Sequence, residues 1–121
     1  MPEQTAQNNA NPFTSVVVAA LNEEEAIGQV IQRIPRDIAN EIVVVDNGST
    51  DRTADVASAA GARVIHEPQR GYGRAYSAGL RAISPNSQIL VFLDGDGSDC
   101  PEMMSALVPL AVASRLFTSY V

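Results

Sequence analysis

Two aspartates separated by one glycine, Asp94 and Asp96, close the apolar run Ile89-Leu90-Val91-Phe92-Leu93. Five apolar residues rich in β-formers read as a buried parallel strand, so the C-terminal tip of that strand carries charge. If the chain stays extended, residues i and i+2 point to one side with Cα atoms about 6–7 Å apart, and both carboxylates face one point. Like charges so placed call for a cation. Hard carboxylate oxygens suit Mg²⁺ or Mn²⁺, which keep several waters and take substrate phosphates as further ligands. The plainer alternative for Asp-Gly-Asp-Gly is a solvated acidic turn. An EF-hand calcium loop is excluded, because its sixth and twelfth positions would be Asp99 and Ser105 instead of Gly and Glu.

The elements that must position these acids are specified segment by segment. Ser15 to Leu21 reads as a fully buried strand, followed by Asn22 as a helix N-cap with Glu25 completing a capping box. Ile27, Val30, Ile31 and Ile34 then recur at helical spacing until Pro35. The pattern repeats: Glu41 to Asp46 is a second strand ending in an acid, and Asn47-Gly48-Ser49-Thr50 supplies turn and cap residues. A small-residue helix from Asp51 to Ala60 follows, closed by Gly61. A third strand runs from Ala62 to His66. Gly71 to Ile83 is loop and then helix, with Tyr76, Leu80 and Ile83 on one face. Pro101 opens a last helix through Met104, Leu107 and Val108, disturbed at Pro109. Residues 1–13 read as a flexible lead-in, leaving 14–121 as one domain.

Alternating strands and helices imply right-handed crossovers and a parallel sheet with helices on both faces. Ligands of such sheets sit outside the carboxyl ends of the strands. The acids fall there: Glu23 after the first strand, Asp46 after the second, Asp94 and Asp96 after the fourth. For Asp46 alone, capping its own turn is the plainer role.

Bulk properties narrow the partners. The chain has 121 residues, enough for one domain, and a net charge of −6, which argues against a nucleic-acid backbone or anionic membrane held by general electrostatics. It contains no lysine and no Gly-x-x-x-x-Gly-Lys loop, so a phosphate ligand must rely on a metal, backbone N–H groups or arginines. Gly71-Tyr72-Gly73 is not a dinucleotide fingerprint, since the third position is Tyr76 and no first strand precedes it. A lone histidine, His66, excludes a multi-histidine zinc site and reads as a half-buried strand-end residue. A lone Cys100 cannot form an internal disulfide, reads as buried or half-buried, and fits a reducing compartment. Arg70 and Arg74 are either solvated or in reach of a base or diphosphate. No apolar run approaches the length that spans a bilayer.

With Ala20-Leu21-Asn22-Glu23-Glu24, Val45-Asp46-Asn47-Gly48-Ser49-Thr50-Asp51, Arg70-Gly71-Tyr72-Gly73 and Leu93-Asp94-Gly95-Asp96 in this order, the chain resembles the family 2 glycosyltransferases. Within them it is similar to the branch containing polyprenyl-phosphate (dolichol-phosphate) glucosyl and mannosyl transferases. The resemblance implies a three-layer, Rossmann-like GT-A fold with a mostly parallel sheet that binds a nucleotide-diphosphate sugar. It also implies site residues. Leu21, Glu23 and Asp46 would line the nucleoside pocket, with Ala20, Asn47 and Gly95 beside them, and the Arg70 to Gly73 loop would close over the base. Asp94 would sit nearer ribose and metal, and Asp96 would be the direct ligand of Mg²⁺ or Mn²⁺. The ion neutralises charge on the departing diphosphate, and displacement at the anomeric carbon proceeds in line with inversion. A polyprenyl-phosphate acceptor is already anionic and needs no strong general base. The sequence departs from the family pattern at Ala19 and Leu21, where Pro and Tyr are common, and at Ser98, where Gln is common.

Such enzymes continue well beyond the Asp-x-Asp, so the chain is expected to be the nucleotide-binding half, with its C-terminal half missing. Its helices are expected to leave an apolar edge that another copy or a companion chain covers. The resemblance places it in the cytoplasm, with the cytoplasmic membrane face as a further option. Three other functions compete: a non-catalytic nucleotide-sugar-binding module, an inactive fragment, and a carboxylate-pair hydrolase. The last is the weakest, because its acids must flank a bond from opposite sides while Asp94 and Asp96 point the same way.

Overall fold

A computed structural model describes residues 12–114; the lead-in up to 11 and the Arg115 to Val121 stretch lie outside the described residues. Four strands form one sheet: β1 (Thr14–Ala20), β2 (Glu41–Asp46), β3 (Arg63–His66) and β4 (Ile89–Asp94). They lie in the order β3-β2-β1-β4, and each pairing is parallel. The helices are α1 (Ile27–Arg33), α2 (Thr53–Ala59), α3 (Tyr72–Ala82) and α4 (Met104–Ser114), the last preceded by a 3₁₀ turn over Pro101–Met103.

β1 is buried along its whole length, as its apolar run requires. On one face Val16, Val18, Ile42, Val44, Val91 and Leu93 pack with Ile27, Val30 and Ile31 of α1, Ala57 of α2, and Met104 and Val108 of α4. The opposite face packs Val17, Ala19, Val43 and Val45 against Ala75 and Ala78 of α3. The sheet is therefore sandwiched between helices, as the β/α alternation implies. The strand order reverses at β1, whose neighbours β2 and β4 are reached by crossovers in opposite directions. That switch point leaves a crevice between the C-terminal ends of β1 and β4. Register fixes its rim: Ala19 pairs with Asp94, and Ala20 with Asp46.

Local expectations differ from the structure in three places. Asn22 is no N-cap: it sits at φ +53°, its side chain turns to the β2–α2 loop, and α1 begins only at Ile27. Leu80 is 52% exposed, because α3 lies so close to the sheet that small residues form its buried face. His66 and Cys100 are exposed instead of half-buried.

Candidate functional site

A cleft of about 280 Å³ opens at the switch point, lined by Ala19, Ala20, Leu21, Glu23, Asn47, Gly71, Tyr72, Asp94 and Asp96. Six of the residues singled out in the sequence thus meet there: Ala20, Leu21, Glu23, Asn47, Asp94 and Asp96. Ala19 joins them, as do Gly71 and Tyr72 from the Arg70 to Gly73 loop that the resemblance placed over the base.

The two aspartates are brought together by a turn, not by strand alternation. β4 ends at Asp94, whose Oδ1 accepts the Asp96 N–H at 3.0 Å, and Asp96 Oδ1 in turn accepts the Ser98 N–H at 2.8 Å. Short Asp side chains capture amides two residues on, and so fold the acidic tip back on itself. Gly95 lies beneath the tip. A Cβ there would meet Ala20 Cβ at 3.0 Å, Ala19 O at 3.1 Å and Ile27 Cδ1 at 3.1 Å, so glycine is demanded by packing. Asp99, not anticipated from sequence, accepts the Asp94 N–H at 2.7 Å.

Among the described residues the cleft's charge is uncompensated. Neither Asp94 nor Asp96 has an ion-pair partner among the described residues. Hydrogen bonds from Ser98 hold the Asp96 carboxyl below the ordinary aspartate range, so it is ionised at neutral pH. The Glu23 carboxyl is pushed up, first by burial and then by the charges of Asp96 and Asp94. Among the described residues no three His, Cys, Asp or Glu side chains converge to hold a metal by themselves. Two carboxylates fit a Mg²⁺ or Mn²⁺ ion that keeps its waters and completes its shell with ligand phosphates.

The loops around the cleft are bound to one another. Asn22 N–H donates to Ser49 Oγ at 2.8 Å and Glu23 N–H to Thr53 Oγ1 at 2.8 Å, while Asn22 Oδ1 accepts the Thr50 N–H at 2.8 Å. Asp51 accepts the N–H groups of Glu24 and Thr53. Buried Asn47 spends its amide on a third loop: Nδ2 donates to the carbonyls of Glu67 and Gln69, both at 2.9 Å, and Oδ1 accepts the Gly71 N–H at 2.9 Å. Gly71 needs its glycine, at φ +130°. From this clamped loop Tyr72 donates its hydroxyl to Asp94 Oδ2 at 2.7 Å, and the neighbouring carboxylate pushes the Tyr72 phenol up.

Four expected site residues lie outside the lining. Asp46 is buried, with Oδ1 accepting the Ser49 N–H and Oδ2 lying 3.3 Å from His66 Nδ1, so its turn-capping role is present. Arg70 reaches the β2–α2 loop, its guanidinium 3.5 Å from the Gly48 carbonyl. Gly73 faces open space, with nothing within 4 Å of where a Cβ would stand. Gly95 is packed under the cleft floor.

A parallel α/β sheet with helices on both faces and an acid-rimmed cleft at its switch point defines a Rossmann-like protein. The chain belongs to glycosyl transferase family 2, whose model matches residues 15–116. It is 41% identical over 102 residues to an uncharacterised glycosyltransferase of Mycobacterium tuberculosis, covering 81% of this chain and 45% of the relative. To the dolichyl-phosphate hexose transferase of Haloferax volcanii it is 43% identical over 84 residues, covering 68% of this chain and 36% of that protein. Among solved structures it is similar to Mycobacterium tuberculosis glucosyl-3-phosphoglycerate synthase in complex with UDP. That match has 33% identity and a TM-score of 0.75, over 93% of this chain and 44% of that one. The same enzyme with Mn²⁺, UDP and glucosyl-3-phosphoglycerate matches at 33% identity and a TM-score of 0.69, over 96% and 44%. The chain spans less than half the length of each of these proteins. Among its described residues no helix is long and apolar enough to cross a membrane.

Proposed function

We propose that the chain forms the donor site of an inverting glycosyltransferase that takes a hexose from a nucleotide-diphosphate sugar in the presence of Mg²⁺ or Mn²⁺. What carries this is the pairing of Asp94 and Asp96 at the switch-point cleft with no cationic side chain paired to them among the described residues. A UDP-sugar such as UDP-glucose is favoured as donor by the UDP held in the similar synthase structures, with GDP-mannose the alternative. The polyprenyl-phosphate acceptor is supported by the likeness to the dolichyl-phosphate hexose transferase.

In this function Leu21 offers an apolar wall to the base, and Glu23 and Asp94 accept hydrogen bonds from base or ribose. The open space at Gly73 leaves room for close approach of the ligand. Asp96, ionised and exposed, would hold the divalent ion together with Asp94. When bound, the ion offsets charge building on the departing diphosphate. The competing function is a nucleotide-sugar-binding module without turnover.

Calorimetric titration of the chain with UDP-glucose and GDP-mannose, each with and without Mn²⁺, tests the proposal. Metal-dependent binding of one donor is expected, with Asp96→Asn losing the metal-dependent part while the apo melting temperature holds. Unchanged metal dependence in Asp96→Asn would remove that residue from the site. Hexose transfer to a polyprenyl phosphate then separates enzyme from module.

A further inference from the structure

The Tyr72 hydroxyl ends on Asp94 Oδ2 at 2.7 Å, within the range of a hydroxyl donating to a charged carboxylate. The other oxygen of the same carboxylate, Oδ1, holds the Asp96 N–H at 3.0 Å. An aspartate χ2 torsion is intrinsically broad, so a carboxylate at a strand tip has no preferred plane of its own. Anchors on both oxygens give it one. Each oxygen accepts more than one hydrogen bond, so both keep capacity for a ligand.

Tyr72 is itself held in place. Its ring stacks on Tyr76 with centroids 6.1 Å apart and planes at 15°, and Tyr76 meets Phe92 edge-on at 4.6 Å. Tyr76 also donates its hydroxyl to the Leu93 carbonyl at 3.1 Å, next to Asp94. The backbone just before Tyr72 is fixed through the Gly71 N–H bond to buried Asn47. A 63% exposed tyrosine is thus supported from the sheet, from its own helix and from the β2 end. Such support suits positioning better than packing, because little of Tyr72 is buried.

We infer that Tyr72 is a positioning residue of the donor site: its hydroxyl fixes the carboxylate plane of Asp94 toward a nucleoside diphosphate and its divalent cation. This rests on the donor-site function proposed above. The phenol is a neutral partner, so it orients Asp94 without cancelling the charge that draws the cation. A basic residue in the same place would do both. The hydroxyl, not the ring, is the working group.

Tyr72→Phe and Tyr72→Leu, titrated with UDP in the presence and absence of MnCl₂, test this. Tyr72→Phe is expected to weaken Mn²⁺-dependent UDP binding roughly tenfold, on the scale of one partly exposed hydrogen bond to a charged group. Metal-free UDP affinity should fall by clearly less than the Mn²⁺-dependent affinity, because Asp94 also faces the nucleoside, the apo melting temperature should stay at its wild-type value, and Tyr72→Leu should lose no less than Phe. Wild-type affinity in Tyr72→Phe would overturn the inference, whatever Leu does. Equal losses with and without Mn²⁺ would also overturn it, because they report a loosened loop. Absence of UDP binding by the wild-type chain would instead overturn the donor-site function beneath it.

Discussion

Single side chains decide the shape of the cleft, and Asn47 decides most. It is 6% exposed and gives both amide hydrogens and its carbonyl oxygen to the 67–71 loop. Removing it strands those groups in a half-buried setting, where each unmet bond costs about 1 kcal/mol or more. Asn47→Ala is expected to lower stability by about 2–3 kcal/mol in urea melts, and to speed amide exchange at Gly71. The resemblance put Asn47 beside the nucleoside, and the residue does line the cleft, but its amide is committed to the protein. That commitment was not legible in sequence, because its partners are backbone groups some twenty residues downstream. The acidic pair was legible as residues and not as geometry. Side-chain spacing in a strand suggested a shared face, whereas the strand stops at Asp94 and a turn carries Asp96 round.

At the scale of elements, α3 shows why apolar size misleads. Ala75, Ala78 and Gly79 face the sheet, while Leu80 faces solvent. A Cβ on Gly79 would collide with Val17 Cγ1 and stand 3.2 Å from Val45 Cγ2, both rigid β-branched groups of central strands. The helix lies on the sheet at glycine distance, which sets how far Tyr72 at its first turn projects over the cleft. Gly79→Ala is expected to destabilise by about 1–3 kcal/mol despite alanine's better helix propensity, measured by the shift in urea midpoint. A gain in stability would mean that α3 sits further out. Helix and strand existence followed from period and punctuation, since β-branched runs and Pro or Gly boundaries act locally. The start of α1 did not, because Asn22 is recruited by Ser49 and Thr50, contacts made only in the folded chain.

For the molecule as a whole, a carboxylate far from the cleft ties the sheet's lower end together. Glu41 Oε1 accepts the Ser15 hydroxyl at 2.8 Å and the Ser84 N–H at 2.9 Å, and Oε2 accepts from Arg63 at 3.0 Å. Burial pushes its carboxyl up, but these hydrogen bonds outweigh burial and leave it below the ordinary glutamate value of 4.5. A depressed carboxyl contributes stability that is complete above the unfolded value and is lost as pH falls through the folded one. Urea stability is therefore expected to decline below about pH 4.5, and Glu41→Gln to flatten that decline while lowering stability at pH 7. An unchanged acid limb in Glu41→Gln would remove this carboxylate as a cause. The parallel order of strands and the place of the cleft were legible, because handed crossovers leave few options. The polar ties between distant segments were not, because no periodicity marks them.

The interlocked rim also dictates an order of events during synthesis. The amides of Asn22, Glu23 and Glu24 find their partners 27, 30 and 27 residues further along the chain. Until Thr50 has emerged from the ribosome, the first loop lacks the groups that hold Asn22 in its left-handed conformation. The cleft wall is thus a joint product of two successive βα units, and neither unit can complete its own share of it alone.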